Sequence, residues 1–105
     1  MKFYLKNRKG TYDATAKYDV NNHTFVVLKG SVVSKEVSKS PKFRSAKSIG
    51  KYRDGNVVEQ IVQSNITFRS ASTAANFVTG TSTNGCLAWK DKDGNSFKKY
   101  LESRI

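Results

Sequence analysis

The sequence is poor in the residues that build most disulfide and metal sites. It contains one cysteine, Cys86, and one histidine, His23, among 105 residues. A lone cysteine excludes an internal disulfide and fits a reducing compartment, so we expect a cytoplasmic protein. A zinc site draws its protein ligands from several Cys and His residues, which this chain lacks. The sequence therefore predicts neither a zinc site nor a disulfide scaffold.

Side chains that could act together in catalysis are equally scarce. Cys86 has no second histidine to activate it, and His23 sits beside a predicted hairpin turn, which is typical of a solvated loop residue. The acids are scattered, and no pair suggests a general acid and base. We predict that the protein is not an enzyme by itself and requires no cofactor.

One segment imitates a calcium-binding loop. Residues 91–102 place Asp91, Asp93, Asn95 and Glu102 at the liganding positions 1, 3, 5 and 12 of an EF-hand. The sixth position, which requires glycine, is Ser96, and the preceding residues read as a strand rather than a helix. A turn followed by a serine-capped helix explains the same residues, so we expect no metal there.

Long apolar runs are also absent. No run approaches the length of a membrane span, and the N-terminal MKFYLKNRKG lacks the apolar stretch of a signal peptide. We expect no membrane partner and no export. The length suits one domain with a single core, and we interpret residues 1–105 as that domain.

Positive charge is what the sequence has in excess. Nineteen Lys and Arg oppose eight Asp and Glu, a formal net charge of +11. Residues 29–53, here the basic segment, hold eight of the positive residues and a single acid, Glu36. Such clustering favours a polyanionic partner, with nucleic acid first and DNA preferred. The positive residues are Lys29, Lys35, Lys39, Lys42, Arg44, Lys47, Lys51 and Arg53.

The first third of the chain reads as antiparallel strands. Residues 12–20 and 23–30 flank Asn21-Asn22, and asparagine tolerates the positive φ of tight hairpin turns. Apolar residues occupy both faces of 25–28, which indicates a central strand. Ser40-Pro41 then predicts a helix start. In that helix Phe43, Ala46, Ile49 and Gly50 form an apolar face, Arg44, Lys47 and Lys51 form a separate basic stripe, and Asp54-Gly55 ends the helix.

The second half alternates short strands and helices. Residues 56–68 read as one bent or two short strands, with Val58, Val62, Ile66 and Phe68 on one side. Ser70 or Ser72 caps a helix that ends at Gly80 and buries Ala71, Ala74, Ala75 and Val78, leaving Ser72, Thr73, Asn76 and Thr79 outside. Asn84-Gly85 turns into a strand, CLAWK, with Leu87 and Trp89 inward, and Ser96 caps a last helix burying Phe97 and Leu101. The fold class is α+β: an N-terminal antiparallel sheet with two to three short helices interleaved with further strands.

The segments TFVVLKGS and FRSASTAANFVTGTSTNG, followed by a Trp-Lys strand and a DG turn, resemble an uncharacterised bacterial and phage domain family. The resemblance runs from about Tyr12 to the end. That family occurs alone or behind GIY-YIG nucleases and other DNA-processing proteins, and looks related to the restriction-enzyme-and-adenine-methylase-associated domain. Cys86 stands where the family usually has tryptophan, and Ala71 where it usually has proline. Neither tripeptide of a GIY-YIG nuclease is present.

These observations predict a non-catalytic accessory module that binds nucleic acid, chiefly through phosphate contacts of a basic helix. The candidate binding residues are Lys35, Lys39, Lys42, Arg44, Lys47, Lys51, Arg53 and Arg69. Arg69 is included because it precedes a helix N-terminus that could hold one anion, although ordinary capping explains that segment as well. Two alternatives remain: a protein-interaction module that docks onto a larger nuclease or methylase, and a basic capsid or inhibitor-like small protein.

Overall fold

Four antiparallel strands form the main sheet of the computed structural model, which describes residues 1–104. The strands are β1 (Lys2–Lys6), β2 (Asp13–Asp19), β3 (Thr24–Val27) and β6 (Ile66–Phe68), paired in the order β1-β2-β3-β6. A separate hairpin joins β4 (Val57–Val58) to β5 (Ile61–Val62). The helices are α1 (Ala46–Arg53), α2 (Ala71–Thr79), α3 (Gly85–Ala88) and α4 (Phe97–Glu102). This is the small α+β domain that the sequence predicts.

The core lies on one face of the main sheet, here the inner face. Alternate strand residues point into it, because successive side chains of a strand lie on opposite faces. Phe25 is at its centre, with ring centroids 4.7 Å from Phe97 and 5.5 Å from Trp89. Phe97 belongs to α4, and α2 packs directly over β3 and β6. The buried residues contributed by the main strands are Phe3, Leu5, Ala14, Ala16, Tyr18, Phe25, Val27 and Phe68.

The predicted first hairpin is confirmed, with a different residue in the strained position. β2 and β3 pair with Asp19 opposite Thr24, and β3 lies between β2 and β6 as a central strand. The positive φ falls on His23, at 54°, and not on either asparagine. The two asparagines instead donate hydrogen bonds to the Asp19 carboxylate. These bonds hold the turn and keep the pKa of Asp19 below its usual value, with the Asn22 side chain contributing most.

The basic helix begins later than Ser40-Pro41. Residues 41–45 form turns, and α1 starts at Ala46 after Ser45. Ser40 caps one of those turns, since its hydroxyl accepts a hydrogen bond from the backbone of Lys42. Helix α1 ends as predicted, where Asp54 leaves the helical conformation and Gly55 takes a φ of 77°.

Residues 56–68 form three short strands rather than one or two. A tight turn at Glu59 and Gln60, with φ of 50° and 70°, separates β4 from β5. Val57 pairs with Val62 and Val58 with Ile61, so the prediction that Val58 lies on one side with Val62, Ile66 and Phe68 is wrong, and Val58 is 55% exposed. The turn explains the error, because it breaks the single alternation that the sequence suggests.

The CLAWK segment is not a strand. Asn84 caps the short helix α3 by accepting a hydrogen bond from the backbone of Cys86, and only Lys90 pairs with neighbouring chain. Leu87 is consequently 49% exposed, while Trp89, which follows the helix, is fully buried. In α4, Phe97 is buried as predicted and Leu101 is 38% exposed. Tyr100 packs against the core in place of Leu101.

Within residues 1–104, none of the helices combines the length and the apolar character needed to cross a lipid bilayer.

Candidate nucleic-acid interface

The basic segment carries its charge on the surface. The side chains of seven of its eight positive residues are exposed, and Arg53 is the exception. The protein therefore presents this charge to solvent, as a phosphate-binding surface requires. The exposed residues are Lys29, Lys35, Lys39, Lys42, Arg44, Lys47 and Lys51.

Helix α1 orients two of these residues together. Ile49 is its one fully buried side chain, which turns the opposite side of the helix to solvent. Lys47 and Lys51 are four residues apart and so share one exposed side. Arg44 precedes the helix, which reduces the predicted three-residue helical stripe to two lysines and a neighbouring arginine. No acidic residue interrupts the sequence of α1.

The other lysines do not converge on one cleft. Lys35 lines a groove with Arg53, Glu59 and Gln60, whereas Lys39 lines another with Gly80 and its neighbours. Lys51 borders a third groove beside Tyr52 and Asn56. The exposed positive charge is thus distributed over several grooves rather than gathered in one pocket.

Arg53 is held by the protein itself. Its guanidinium donates hydrogen bonds to the backbone oxygen of Ser34 (2.7 Å) and to that of Phe77 (2.7 Å), and it lies 5.8 Å from the centre of the Phe77 ring. Burial lowers the pKa of Arg53, although an arginine stays charged at any physiological pH. The side chain joins α1 and the Ser34 loop to the C-terminal turn of α2, so its hydrogen bonds serve the fold.

The start of α2, beside Arg69, is filled by the protein's own chain. Ser70 caps the helix through a hydrogen bond from the Thr73 backbone. A Cβ placed on Gly85 would lie 2.2 Å from the Ala71 carbonyl carbon and 2.4 Å from the Ser72 nitrogen. The backbone of Gly85 thus packs directly on the first turn of α2. Arg69 is exposed beside this contact, and ordinary capping accounts for the helix start.

The polar residues of α2 bind the loop that follows it. Asn76 is buried, contrary to prediction, and its side-chain oxygen accepts a hydrogen bond from the Thr83 backbone (2.8 Å). The hydroxyl of Ser72 accepts one from the Gly85 backbone (3.1 Å). Thr79 contacts Thr83 through their hydroxyls (2.8 Å). These side chains hold the path of residues 80–85, and they do not form a free polar surface.

The sequence reasoning overlooked one basic surface. Strand β1 reads Lys-Phe-Tyr-Leu-Lys, and its alternation places Lys2, Tyr4 and Lys6 on the outer face, away from Phe3 and Leu5. The sequence signal for this surface is the alternation of basic and aromatic residues on one side of a five-residue strand. Without a strand predicted at residues 2–6, that alternation carries no meaning.

The EF-hand imitation is a hydrogen-bonded turn. The carboxylate of Asp91 accepts backbone hydrogen bonds from Asp93 and Asn95, both at 2.9 Å, and Gly94 adopts a φ of 84°. These bonds, chiefly that from Asn95, lower the pKa of Asp91. Among residues 1–104, no three His, Cys, Asp or Glu side chains are grouped so that they could hold a metal ion.

A family model described as "Domain of unknown function (DUF4357)" matches residues 3–101. The chain belongs to this family. The match begins before Tyr12 and includes residues 3–6 of β1, so the domain extends further towards the N-terminus than the resemblance indicates. No curated protein and no solved structure matches the chain.

Ala71 and Cys86, the two residues of this DUF4357 domain that differ from the family pattern described above, lie at the contact between α2 and α3. Ala71 is the first residue of α2, which is the helical position where proline is most common, so the helix start is the same with either residue in the pattern. Cys86 is half-buried at the margin of the core, next to Gly85. A large residue at position 86 would lie at the edge of the core rather than inside it.

Proposed function

We propose that this DUF4357 domain is a non-catalytic module that binds nucleic acid, DNA by preference, through the exposed positive charge of its basic segment. The observation that supports the proposal most strongly is the exposure of seven Lys and Arg side chains between residues 29 and 51, with Glu36 as the one acid among them. A typical solvated helix or loop mixes both signs of charge. This segment does not.

Affinity of this kind comes from counterion release. Each lysine that neutralises a phosphate of duplex DNA displaces a condensed cation, so the logarithm of the association constant falls by about 0.9 per contact for each tenfold rise in salt. The four residues Lys42, Arg44, Lys47 and Lys51 in and before α1 then correspond to a slope of about −3 to −4. Base-specific contacts are not part of the proposal.

The DNA-processing context belongs to the same proposal. The resemblance to domains that follow GIY-YIG nucleases, and to the restriction-enzyme-and-adenine-methylase-associated domain, supports it by association alone. In that setting the domain supplies affinity for DNA, while a larger nuclease or methylase partner carries out the chemistry.

The test is fluorescence anisotropy of the domain with a labelled duplex of about 20 base pairs across a salt series. Binding that weakens steeply with salt, without any partner protein, supports the proposal. Affinity that is absent at low salt, or independent of salt, contradicts it.

A second candidate function, docking onto a larger DNA-processing protein without DNA contact, is favoured by one observation. Val58 and Ile61 lie opposite each other in the β4-β5 hairpin and are 55% and 44% exposed. Paired exposed aliphatic residues suit a protein partner. For this function we expect that a Val58→Thr and Ile61→Thr double variant no longer binds the partner, while the variant and the unaltered domain are alike in failing to bind DNA at physiological salt.

A further inference from the structure

In residues 1–104 the hydrophobic core lies on the inner face of the main sheet and leaves the outer face outside it. The helices pack against the inner face through Phe97, Trp89 and the buried side of α2, and no outer-face residue belongs to the core or to the residues packed on it. Tyr4, Thr15, Val26 and Leu28 are partly exposed there. The protein thus presents a broad sheet surface with an apolar and aromatic centre.

Lysines surround the aromatic residue of that surface. Residues directly opposite each other on paired strands share a face. Lys2 lies opposite Lys17 on β2, and Tyr4 pairs on its other side with Lys90. Lys6 follows on the same side of β1, so Tyr4 has a lysine before it, after it and beside it. Acidic residues are present as well: Asp13 lies opposite Lys6, and Asp91 and Asp93 line the grooves beside Tyr4. The carboxylates of Asp19 and Asp91 accept hydrogen bonds within their own turns.

We propose that this outer face binds single-stranded nucleic acid, with a base stacked on Tyr4 and the neighbouring phosphates held by Lys2, Lys6, Lys17 and Lys90. An aromatic ring set among cations on an open sheet offers both contacts that a single strand needs: a flat apolar surface for a base and positive charge for its backbone. An acidic peptide would use the lysines but would leave the ring without a planar partner.

The width of the sheet argues against a duplex at this surface. Neighbouring strands are about 4.8 Å apart, so four strands span about 14 Å before their side chains are added. The major groove of B-form DNA is about 12 Å wide and admits a helix or a two-stranded ribbon. The bases of a duplex are also stacked on one another, so Tyr4 would find a free base face only in a single strand.

This surface is separate from helix α1, whereas Lys29 of the basic segment directly follows Leu28 of the outer face. Helix α1 packs on α2 and contacts the inner-face residue Phe68 through Tyr52, whose ring centroid lies 4.7 Å from that of Phe68. The inference therefore goes beyond the proposed function, and each can fail alone. Variants of α1 that lose duplex binding test only the proposed function. Variants of β1 that lose single-strand binding test only the outer-face inference.

The experiment measures anisotropy of labelled 12-nucleotide oligothymidine and of a 20-base-pair duplex with variants of the full chain. We expect Tyr4→Ser to weaken oligothymidine binding by about 5- to 150-fold, the range found for loss of one base–aromatic stack, and to leave duplex affinity unchanged. Tyr4→Phe keeps the ring and is expected to bind as the unaltered protein does. Lys2→Gln with Lys6→Gln is expected to flatten the salt slope by about 0.7 for each lysine.

Lys98→Gln, on the exposed side of α4, is the matched control for charge and should change neither affinity. Should Tyr4→Ser fail to fold, Tyr4→Leu keeps an apolar side chain without a ring and gives the same comparison. Equal oligothymidine affinity in the folded Tyr4 variants and the unaltered protein overturns the inference. The inference is also overturned if polyglutamate competes with the labelled oligothymidine as strongly as unlabelled oligothymidine does, and with the same dependence on Tyr4. The site would then recognise acidic protein.

Discussion

The indole nitrogen of Trp89 donates a hydrogen bond to the backbone oxygen of Ala71 over 3.0 Å, and both residues are buried. Trp89 follows α3 and Ala71 begins α2, so this bond closes a loop of the chain from residue 71 to residue 89. Gly85 packs against the same turn of α2 from within that loop. Gly85 is therefore explained by packing, because its backbone lies too close to that of Ala71 for a larger side chain.

Replacing Trp89 by Phe tests this closure. The variant keeps an aromatic ring packed against Phe25, but it loses the hydrogen-bond donor and part of the buried volume of Trp89. We expect the free energy of unfolding to fall by about 1–3 kcal/mol, measured by urea denaturation. Unchanged stability would show that the bond to Ala71 contributes nothing to the closure.

Gly85 and Gly50 form a matched pair for the close approach. A methyl group on Gly85 meets the backbone of Ala71, which cannot yield, so Gly85→Ala is expected to destabilise the domain by about 1–3 kcal/mol or more. Gly50 lies in α1 with open space around it, and Gly50→Ala is expected to stabilise by about 0.5–1 kcal/mol. Thermal unfolding of both variants measures the difference. Two shifts of the same sign would contradict the packing account.

Arg53 should behave as a structural residue despite its place in the basic segment. Arg53→Met leaves the carbonyls of Ser34 and Phe77 without their charged donor, and we expect a loss of about 2–4 kcal/mol in the free energy of unfolding. Below the unfolding transition, the salt slope of duplex binding should match that of the unaltered protein. A flatter slope in the folded variant would instead return Arg53 to the interface.

The turn at Asp91 predicts a dependence of stability on pH. The folded state lowers the pKa of this carboxyl, so its contribution is complete above the usual aspartate pKa of about 3.9 and is lost as the pH falls through the lower folded value. Asp91→Ala should therefore be less stable than the unaltered domain at pH 7, and the gap should narrow below about pH 4. Denaturant unfolding of both proteins at pH 7 and below about pH 4 measures this difference in the free energy of unfolding. A gap that stays constant with pH would exclude the ionised carboxylate as its source.

Local signals in the sequence predicted the elements whose ends are set by local chemistry. Ser70 and Gly80 bound α2, and Ser96 caps α4, because these residues satisfy helix termini wherever the rest of the chain lies. One failure came where a tertiary contact contributes. CLAWK alternates like a strand, yet Asn84 and the contact of Gly85 with α2 turn it into a helix.

The candidate interface was predictable in composition but not in arrangement. The basic segment is evident from the positions of the charged residues. Those positions do not show which side chains are buried, so the prediction groups Arg53 with residues that face solvent. The lysines of the outer face were not found, since Lys17 and Lys90 come together with Tyr4 only through strand pairing. Pairing between distant strands leaves no mark in a single sequence.

The measurement closest to the central claim is the salt slope of duplex binding for Lys47→Gln with Lys51→Gln, compared with the unaltered domain and with the Lys98→Gln control. The two lysines share the exposed side of α1, and removing the charge of one lysine that binds a phosphate should flatten the slope by about 0.9. The account predicts a slope shallower by about 1.8 units in the double variant, and none of this change in the control. An identical slope in all three proteins would contradict the claim that α1 contacts phosphates.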